Sequence, residues 1–127
     1  MYNSIARYNI VYNELTGIIV SQSHNNLIYN NTFSNSGDGI NVGYGSTRNK
    51  ISNSIMNSIA DALLVNRGSS ENTFSSNKIV SATPQCMKIV QDATSKNNIF
   101  SNNQLVHLAV STNNTGKIKS IHNLAKK

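Results

Sequence analysis

The chain repeats one short pattern of apolar and polar positions at a nearly constant spacing. Within each copy, apolar residues alternate with polar ones, as at Ile40 and Val42 or at Leu63 and Val65. This alternation predicts β-strands, because successive side chains of a strand point to opposite faces. Each copy opens on an asparagine, and these residues are Asn3, Asn26, Asn49, Asn72 and Asn98, at spacings of 23, 23, 23 and 26.

A unit of this length cannot bury its apolar face alone, so the repeat predicts a solenoid in which equivalent strands stack and pair in parallel. We therefore expect an all-β fold, a parallel β-helix of about five coils over residues 3–111. One inward stack is predicted to contain Ile18, Ile40, Leu63, Met87 and Leu108, and another Ile28, Ile51, Phe74 and Phe100.

The turns between the predicted strands are rich in asparagine, a residue that favours turns. Stacked turn residues are expected to hydrogen-bond from coil to coil through their side-chain amides, as an asparagine ladder. Two rows fit such a ladder: Asn30, Asn53 and Asn102, or Asn31, Asn77 and Asn103 one place later.

Residues 54–66 also fit a second pattern, because their apolar residues follow the spacing of an amphipathic helix. We predict strand there, since the register of the other copies fixes Leu63 and Val65 as strand positions. Residues 112–127 are interpreted as a C-terminal cap and basic tail, with a short helix over 117–127. Asn3 begins a coil at once, which indicates a fragment of a longer solenoid or an end closed by another chain.

Composition and charge limit the classes of partner that we expect for this chain. The chain contains 22 Asn and 18 Ser, whereas charged residues make up 13%, and four of the lysines behind its net charge of +6 lie in the last eleven residues. The other cations are scattered, so we expect no nucleic-acid partner. No apolar stretch is long enough for membrane insertion, and Met1 opens no signal peptide. The lone Cys86 excludes an internal disulfide, and we predict no cofactor and no metal.

Two motifs resemble those of right-handed, single-stranded parallel β-helix proteins: Asn-x-Ile-x-x-Asn, and Gly-Asp-Gly-Ile-x-Val at residues 37–42. These motifs are most similar to the mannuronan C5-epimerase type of repeat and to periplasmic β-helix proteins linked to copper-site maturation of nitrous oxide reductase. The resemblance implies a right-handed coil and a substrate lying along an outward strip. The Asp-Pro-His-Asp signature of the epimerases is absent, as Pro84 precedes Gln85.

The predicted outward strip carries candidate binding residues. Its members are Ile19, Asn41, Leu64, Lys88 and Ala109. Just past the strands, connecting turns add His24, Tyr44, Arg67 and Asp92. Abstraction of a sugar C5 proton needs a base, an acid and a cation, for which His24, Tyr44 and Arg67 are the catalytic candidates. Substrate-binding candidates are Asn41, Tyr44, Arg67 and Lys88; the alternative is that all are ordinary turn and surface residues.

The sequence favours a β-helix module that binds extended polysaccharide, which could contain uronate. We expect it to be non-catalytic or part of a larger carbohydrate-active protein, at the cell surface or outside the cell. One alternative is a mannuronan C5-epimerase or a polysaccharide lyase acting on uronate polymers. Another is a structural solenoid that stacks end-on with another chain or with upstream coils.

Overall fold

Strands follow one another along the chain in this computed structural model, which describes residues 2–12, 14, 16–58, 61–80, 88–106, 111–114 and 118–126. In chain order they are β1 (Ile5–Arg7), β2 (Ile10–Tyr12), β3 (Thr16–Ser21), β4 (Leu27–Tyr29), β5 (Thr32–Ser36), β6 (Asp38–Gly43), β7 (Lys50–Ser52) and β8 (Ile55–Ser58). They continue as β9 (Asp61–Val65), β10 (Thr73–Ser75), β11 (Lys78–Val80), β12 (Lys88–Gln91), β13 (Asn98–Val106), β14 (Ser111–Asn114) and β15 (Ile118–Lys126).

Strands pair in parallel with the strand one coil further along, so the chain winds as a solenoid. The first coil consists of β1–β3, the second of β4–β6, the third of β7–β9 and the fourth of β10–β12. The third strands form a 5-stranded sheet with the order β14-β12-β9-β6-β3. The first and second strands form a 10-stranded sheet, β1-β4-β7-β10-β13-β11-β8-β5-β2, in which β13 joins both stacks and also pairs with β15. The predicted all-β parallel solenoid is confirmed.

Rows of apolar side chains fill the interior. Ile28, Ile51, Phe74 and Phe100 lie in register and are fully buried, which confirms the stack predicted for them. The rings of Phe74 and Phe100 stack with their centroids 4.8 Å apart. Full burial of such a side chain stabilises the fold by about 1.5–3 kcal/mol. Among the described residues, the other buried apolar side chains are Val20, Phe33, Ile40, Val42, Met56, Leu63, Val65 and Ile79.

The strand prediction for the segment with helical spacing is confirmed. Residues 55–58 and 61–65 form β8 and β9. Leu63 lies opposite Ile40 and is fully buried, whereas its neighbour Leu64 is half-buried and lies opposite Asn41. Pairing with the coils on both sides therefore outweighs the local helical pattern.

The fourth coil departs from the predicted register. Ile89 lies opposite Leu63, the place predicted for Met87, because the register of β12 is shifted by two residues. Lys88 consequently pairs with Asp61, and Val90 takes the place beside Leu64 that was predicted for Lys88. A strand pattern has a period of two, so a shift of two residues leaves the alternation unchanged. The predicted positions of Met87, Leu108 and Ala109 lie outside the described residues.

The helix predicted over residues 117–127 is wrong, because residues 118–126 form the strand β15. It pairs with β13 in parallel, with Ile121 opposite Phe100 and Asn123 opposite Asn103. The segment thus repeats the order of apolar residue and asparagine found in the coils, and pairing supplies partners for the backbone groups along β13. The division of the chain at residue 112 stays a prediction.

Among the described residues, two asparagine-rich ladders of mostly buried side chains connect the coils. In the first, the backbone N–H and Nδ2 of Asn49 donate to Oδ1 of Asn72, at 3.0 and 2.9 Å. Asn26, Asn49, Asn72 and Asn98 follow one another in this way. The second ladder contains Asn9, Asn31, Ser54, Asn77 and Asn103. It confirms the second of the two predicted rows, whereas the ladder through the leading asparagines was not predicted.

Candidate functional site

The connections from the third strand of one coil to the next coil carry the candidate residues, and we call them the long loops. They comprise residues 22–26, 44–49, 66–72 and 92–97. In two of them, consecutive residues adopt left-handed backbone: Tyr44 and Gly45 (φ 55° and 72°), and Arg67 and Gly68 (φ 53° and 77°). A Cβ atom at Gly45 or Gly68 would meet nothing within 4 Å, so the backbone conformation selects glycine there.

Tyr44 and Arg67 are in contact across neighbouring coils. The guanidinium carbon of Arg67 lies 4.1 Å from the centroid of the Tyr44 ring. The backbone N–H of Gly45 donates to the carbonyl oxygen of Arg67 at 2.9 Å, which holds the two loops together. Such a cation–π contact at an exposed site stabilises by about 0.5–1 kcal/mol. Half of the Tyr44 surface remains exposed, so the pair forms an amphipathic platform on the surface.

Asp92 supports this platform from the following coil. Its Oδ2 accepts from the backbone N–H of Arg67 at 2.8 Å, and its Oδ1 accepts from Thr94 and Ser95. Partial burial by itself would raise the pKa of Asp92, but these hydrogen bonds outweigh it and hold the pKa below its ordinary value. Because its oxygens are engaged with the loop backbone, Asp92 acts as a positioning group for Arg67.

His24 lies in a different row of the long loops. Tyr2, His24, Thr47, Ser70 and Lys96 form successive parallel bridges along the solenoid. The Nδ1 atom of His24 hydrogen-bonds with Oγ1 of Thr47 at 2.7 Å, and its ring lies 5.1 Å from that of Tyr2. Among the contacts described, none joins His24 to Tyr44 or Arg67. The structure therefore pairs two of the three catalytic candidates and gives the third other neighbours.

Asn41, a further binding candidate, lies on the outward strip of the smaller sheet near the platform of Tyr44 and Arg67. Asn41 on β6 lies between Ile19 and Leu64 and is half-buried. It is three residues before Tyr44 on the same strand and loop. Lys88 pairs with Asp61 at the start of β12, three residues before Gln91, so it does not lie beside Leu64 on this strip.

A second polar cluster in the long loops was missed by sequence reasoning. Arg48 and Glu71 occupy equivalent positions in neighbouring coils, with 3.9 Å between Nη1 and Oε2. Both have left-handed backbone, at φ 55° and 59°. The signal was present in the repeat, where this position is asparagine in other coils, at Asn3, Asn25 and Asn97. The predicted register of Asn3 is wrong by one residue, because Ser4 and not Asn3 lies at the ladder position beside Asn26. Sequence alone did not show that the residue before each ladder position has left-handed backbone.

Among the described residues, no three His, Cys, Asp or Glu side chains are grouped so that they could hold a metal ion. In the same part of the chain, no helix is long and apolar enough to cross a membrane.

Comparison with known proteins agrees with this architecture. The family model described as "Right handed beta helix region" matches residues 2–127, nearly the whole chain. No curated protein and no solved structure matches the chain significantly. The chain belongs to the right-handed β-helix family.

Proposed function

We propose that this right-handed β-helix binds an extended polysaccharide at the surface formed by Asn41, Tyr44 and Arg67. In this proposal it acts as a binding module, non-catalytic or part of a larger carbohydrate-active protein, at the cell surface or outside the cell. A fold of this kind hosts many functions, so the argument rests on these side chains.

The platform of Tyr44 and Arg67 carries the proposal. Binding sites for small molecules and cofactors commonly combine aromatic faces with a few placed polar groups. Here the exposed phenol ring offers an apolar face, while the guanidinium offers several N–H donors in a fixed plane. A sugar ring has the complementary surface, an apolar C–H face edged by hydroxyl groups. The hydrogen bonds from the Arg67 and Gly68 backbone to the fourth coil hold the platform in place.

The regular spacing of the coils favours a linear ligand. Equivalent residues of neighbouring coils follow one another at roughly 4.8 Å, the distance between hydrogen-bonded strands. Ile19, Asn41 and Leu64 form such a row on the outer face of the smaller sheet. A polymer that lies along this row meets one side chain of each coil in turn, whereas a compact ligand meets few of them.

Calorimetric titration with alginate, pectate and neutral glucans tests the proposal. We expect Tyr44→Ala to weaken binding by about tenfold, the effect of losing one buried aromatic contact. Tyr8→Ala is a matched control, because Tyr8 is also exposed, also has φ 55° and also lies beside an arginine. Equal weakening by both variants, or no binding of any glycan at millimolar concentration, would reject the proposal.

The contact between a phenol and a guanidinium favours a second candidate, a uronate C5-epimerase or lyase. A base removes the C5 proton while a cation neutralises the carboxylate; an acid then returns a proton from the opposite face, or the C4 oxygen leaves. In this candidate His24 is the base, Tyr44 the acid and Arg67 the cation. Ultraviolet detection of unsaturated uronates, with NMR of treated polymannuronate, tests it. Polymer unchanged by both methods rejects catalysis.

A third candidate is end-on assembly with another solenoid chain, favoured by the surface of the first coil. Ile5 and Ile10 are 58% and 80% exposed there. Ala6, Val11 and Ile18 are only partly buried, although the residues opposite them in the second coil are fully buried. Measurement of size in solution tests this candidate, and a strict monomer at high protein concentration rejects it.

A further inference from the structure

A groove follows the last residues of the long loops, where each loop enters the next coil. Two depressions, of about 500 and 510 Å³, meet at Arg48 and Glu71. Their walls come from two rows of equivalent residues in successive coils. The first row is Asn25, Arg48, Glu71 and Asn97, and the second is Leu27, Lys50, Thr73 and Ile99. The groove therefore runs along the solenoid axis and crosses several coils.

The conformation of the loop does not account for the two charged residues. Left-handed backbone costs an L-residue roughly 1–2 kcal/mol, and asparagine tolerates it best after glycine. Asparagine occupies the equivalent position in other coils, for example at Asn25 and Asn97, with φ 57° in both. Arg48 and Glu71 adopt the same conformation without that advantage. Residues that break a local rule in this way are concentrated at functional sites.

The charges of the groove do not cancel. Arg48 donates from Nε to Oδ1 of Asn25 at 3.1 Å and is 3.9 Å from Glu71, with both charged side chains more than half exposed. An exposed pair of this kind contributes little, about 0–1 kcal/mol, so Arg48 retains free donors. Lys50 has no ion pair among the described residues, and its side chain is exposed. Two cations thus face one carboxylate, with the partly exposed Leu27 beside them.

We infer that this groove binds an anionic group, carboxylate or sulfate, of a linear polysaccharide, with Arg48 and Lys50 as its donors. Glu71 opposes the same anion and competes for Arg48, so it limits affinity and raises selectivity against weakly charged chains. The inference rests on the proposed polysaccharide binding and adds a charge-selective site to it. The Tyr44 platform contacts the sugar rings, while the groove distinguishes charged from neutral chains.

Matched ligands and matched variants test the inference by calorimetry. The ligands are galacturonate oligomers and the same oligomers as neutral methyl esters, with dextran sulfate and dextran as the sulfate pair. We expect Lys50→Gln to weaken binding of the charged forms by about five- to tenfold and to leave the neutral forms unchanged. Lys78→Gln is the control, because Lys78 also opens a short strand, is exposed, and donates its N–H to the preceding coil. Glu71→Gln should strengthen binding of the charged forms by about threefold.

The outcomes separate the inference from the proposal it rests on. If Lys50→Gln and Lys78→Gln had equal effects, the net charge of the protein would be enough to explain the binding of charged chains, and the inference would be overturned. Equal affinity of the wild-type protein for charged and neutral oligomers would overturn the inference and leave polysaccharide binding standing. Failure of all four ligands and of alginate to bind would reject both. A preference for one charged pair over the other identifies the anion as carboxylate or sulfate.

Discussion

Two kinds of connection join the strands of the solenoid, and they differ in the residue types that have left-handed backbone. Between the first and second strand of each coil lies a short corner, whose left-handed residues are Tyr8, Asn30, Asn53, Ser76 and Asn102. The long loops of the second and third coils use the same backbone conformation at Tyr44, Arg48, Arg67 and Glu71. Asparagine dominates the short corner, which is what the backbone alone favours. Tyr8 and Ser76 are the exceptions among these five, whereas all four of the long-loop residues are charged or aromatic, which indicates a requirement other than folding.

Behind both kinds of corner the scaffold is the same. Asn77 at the short corner donates through Nδ2 to Oδ1 of Asn103, and Asn72 at the long loop donates to Oδ1 of Asn98, both at 3.0 Å. All four side chains are buried. Buried ladders thus contribute to the stability of both regions, whereas the left-handed residues outside them make no ladder hydrogen bond. The comparison separates positions that hold the fold from positions that face a ligand.

The largest effect is expected when a ladder is broken. Asn72→Ala and Asn77→Ala should each lower the free energy of unfolding by about 3 kcal/mol, because buried donors and acceptors in both neighbouring coils lose their partner. Asn53→Ala is the control, an exposed left-handed asparagine whose loss should cost about 1 kcal/mol. Denaturant unfolding measures all three. Equal losses at Asn53 and Asn72 would contradict the distinction between ladder and corner.

A smaller effect is expected at Asp92, and it should depend on pH. The pKa of this carboxyl group is lower in the folded chain, so its hydrogen bonds stabilise the fold above the ordinary aspartate pKa, about 4. That stabilisation is lost as the pH falls through the lower, folded-state value. Asp92→Asn should therefore have a lower Tm than the wild type at neutral pH, and the difference should shrink below about pH 4. A difference that stays constant from neutral to acid pH would count against this account.

At the short corner, Ser76→Asn should stabilise the fold slightly. Ser76 has φ 56°, while its counterparts Asn53 and Asn102 have the residue type that favours this conformation. We expect a gain of about 0.5 kcal/mol in the free energy of unfolding and no change in glycan binding. Ser75→Asn, on the adjacent strand position, is the control and should bring no gain.

At the long loop, Glu71→Asn should give the smallest change in stability. Relief of the left-handed backbone is offset in part by loss of the loose pair with Arg48, so the net gain should be below about 0.5 kcal/mol. Unlike Ser76→Asn, this change should alter the binding of charged oligomers. Stability and binding that respond alike in the two variants would remove the contrast between the two corners.

Much of the fold could be predicted because the repeat itself carries the register. The spacing of the leading asparagines placed Ile28, Ile51, Phe74 and Phe100 in one stack, which the pairing of their strands confirms. The two candidate ladder rows differed by one residue, and sequence could not choose between them. The choice depends on backbone conformation: Asn30 has φ 55° at the corner, while Asn31 is buried behind it.

Less of the candidate site could be predicted, because it depends on contacts between coils. The contact of Tyr44 with Arg67 joins loops of equal length, so the regular spacing of the repeat was enough to make them neighbours. Lys88 lies within the one repeat that has a longer spacing, from Asn72 to Asn98, and a period-two pattern does not fix where the extra residues lie. The groove at Arg48 and Glu71 could not be predicted, because its position depends on left-handed backbone that no pattern of apolar residues encodes.

The ladders also set the order in which the chain opens to water. Each coil contacts mainly its neighbours, so opening spreads from the ends of the solenoid inward. The backbone N–H groups of Asn49 and Asn72 are bonded to buried amide oxygens, and their exchange with deuterium must wait until adjoining coils separate. Among the described strands, the strands of the first coil pair with a neighbouring coil on one side only. Amide exchange should therefore proceed coil by coil, with the protons of the third coil among the last to be replaced.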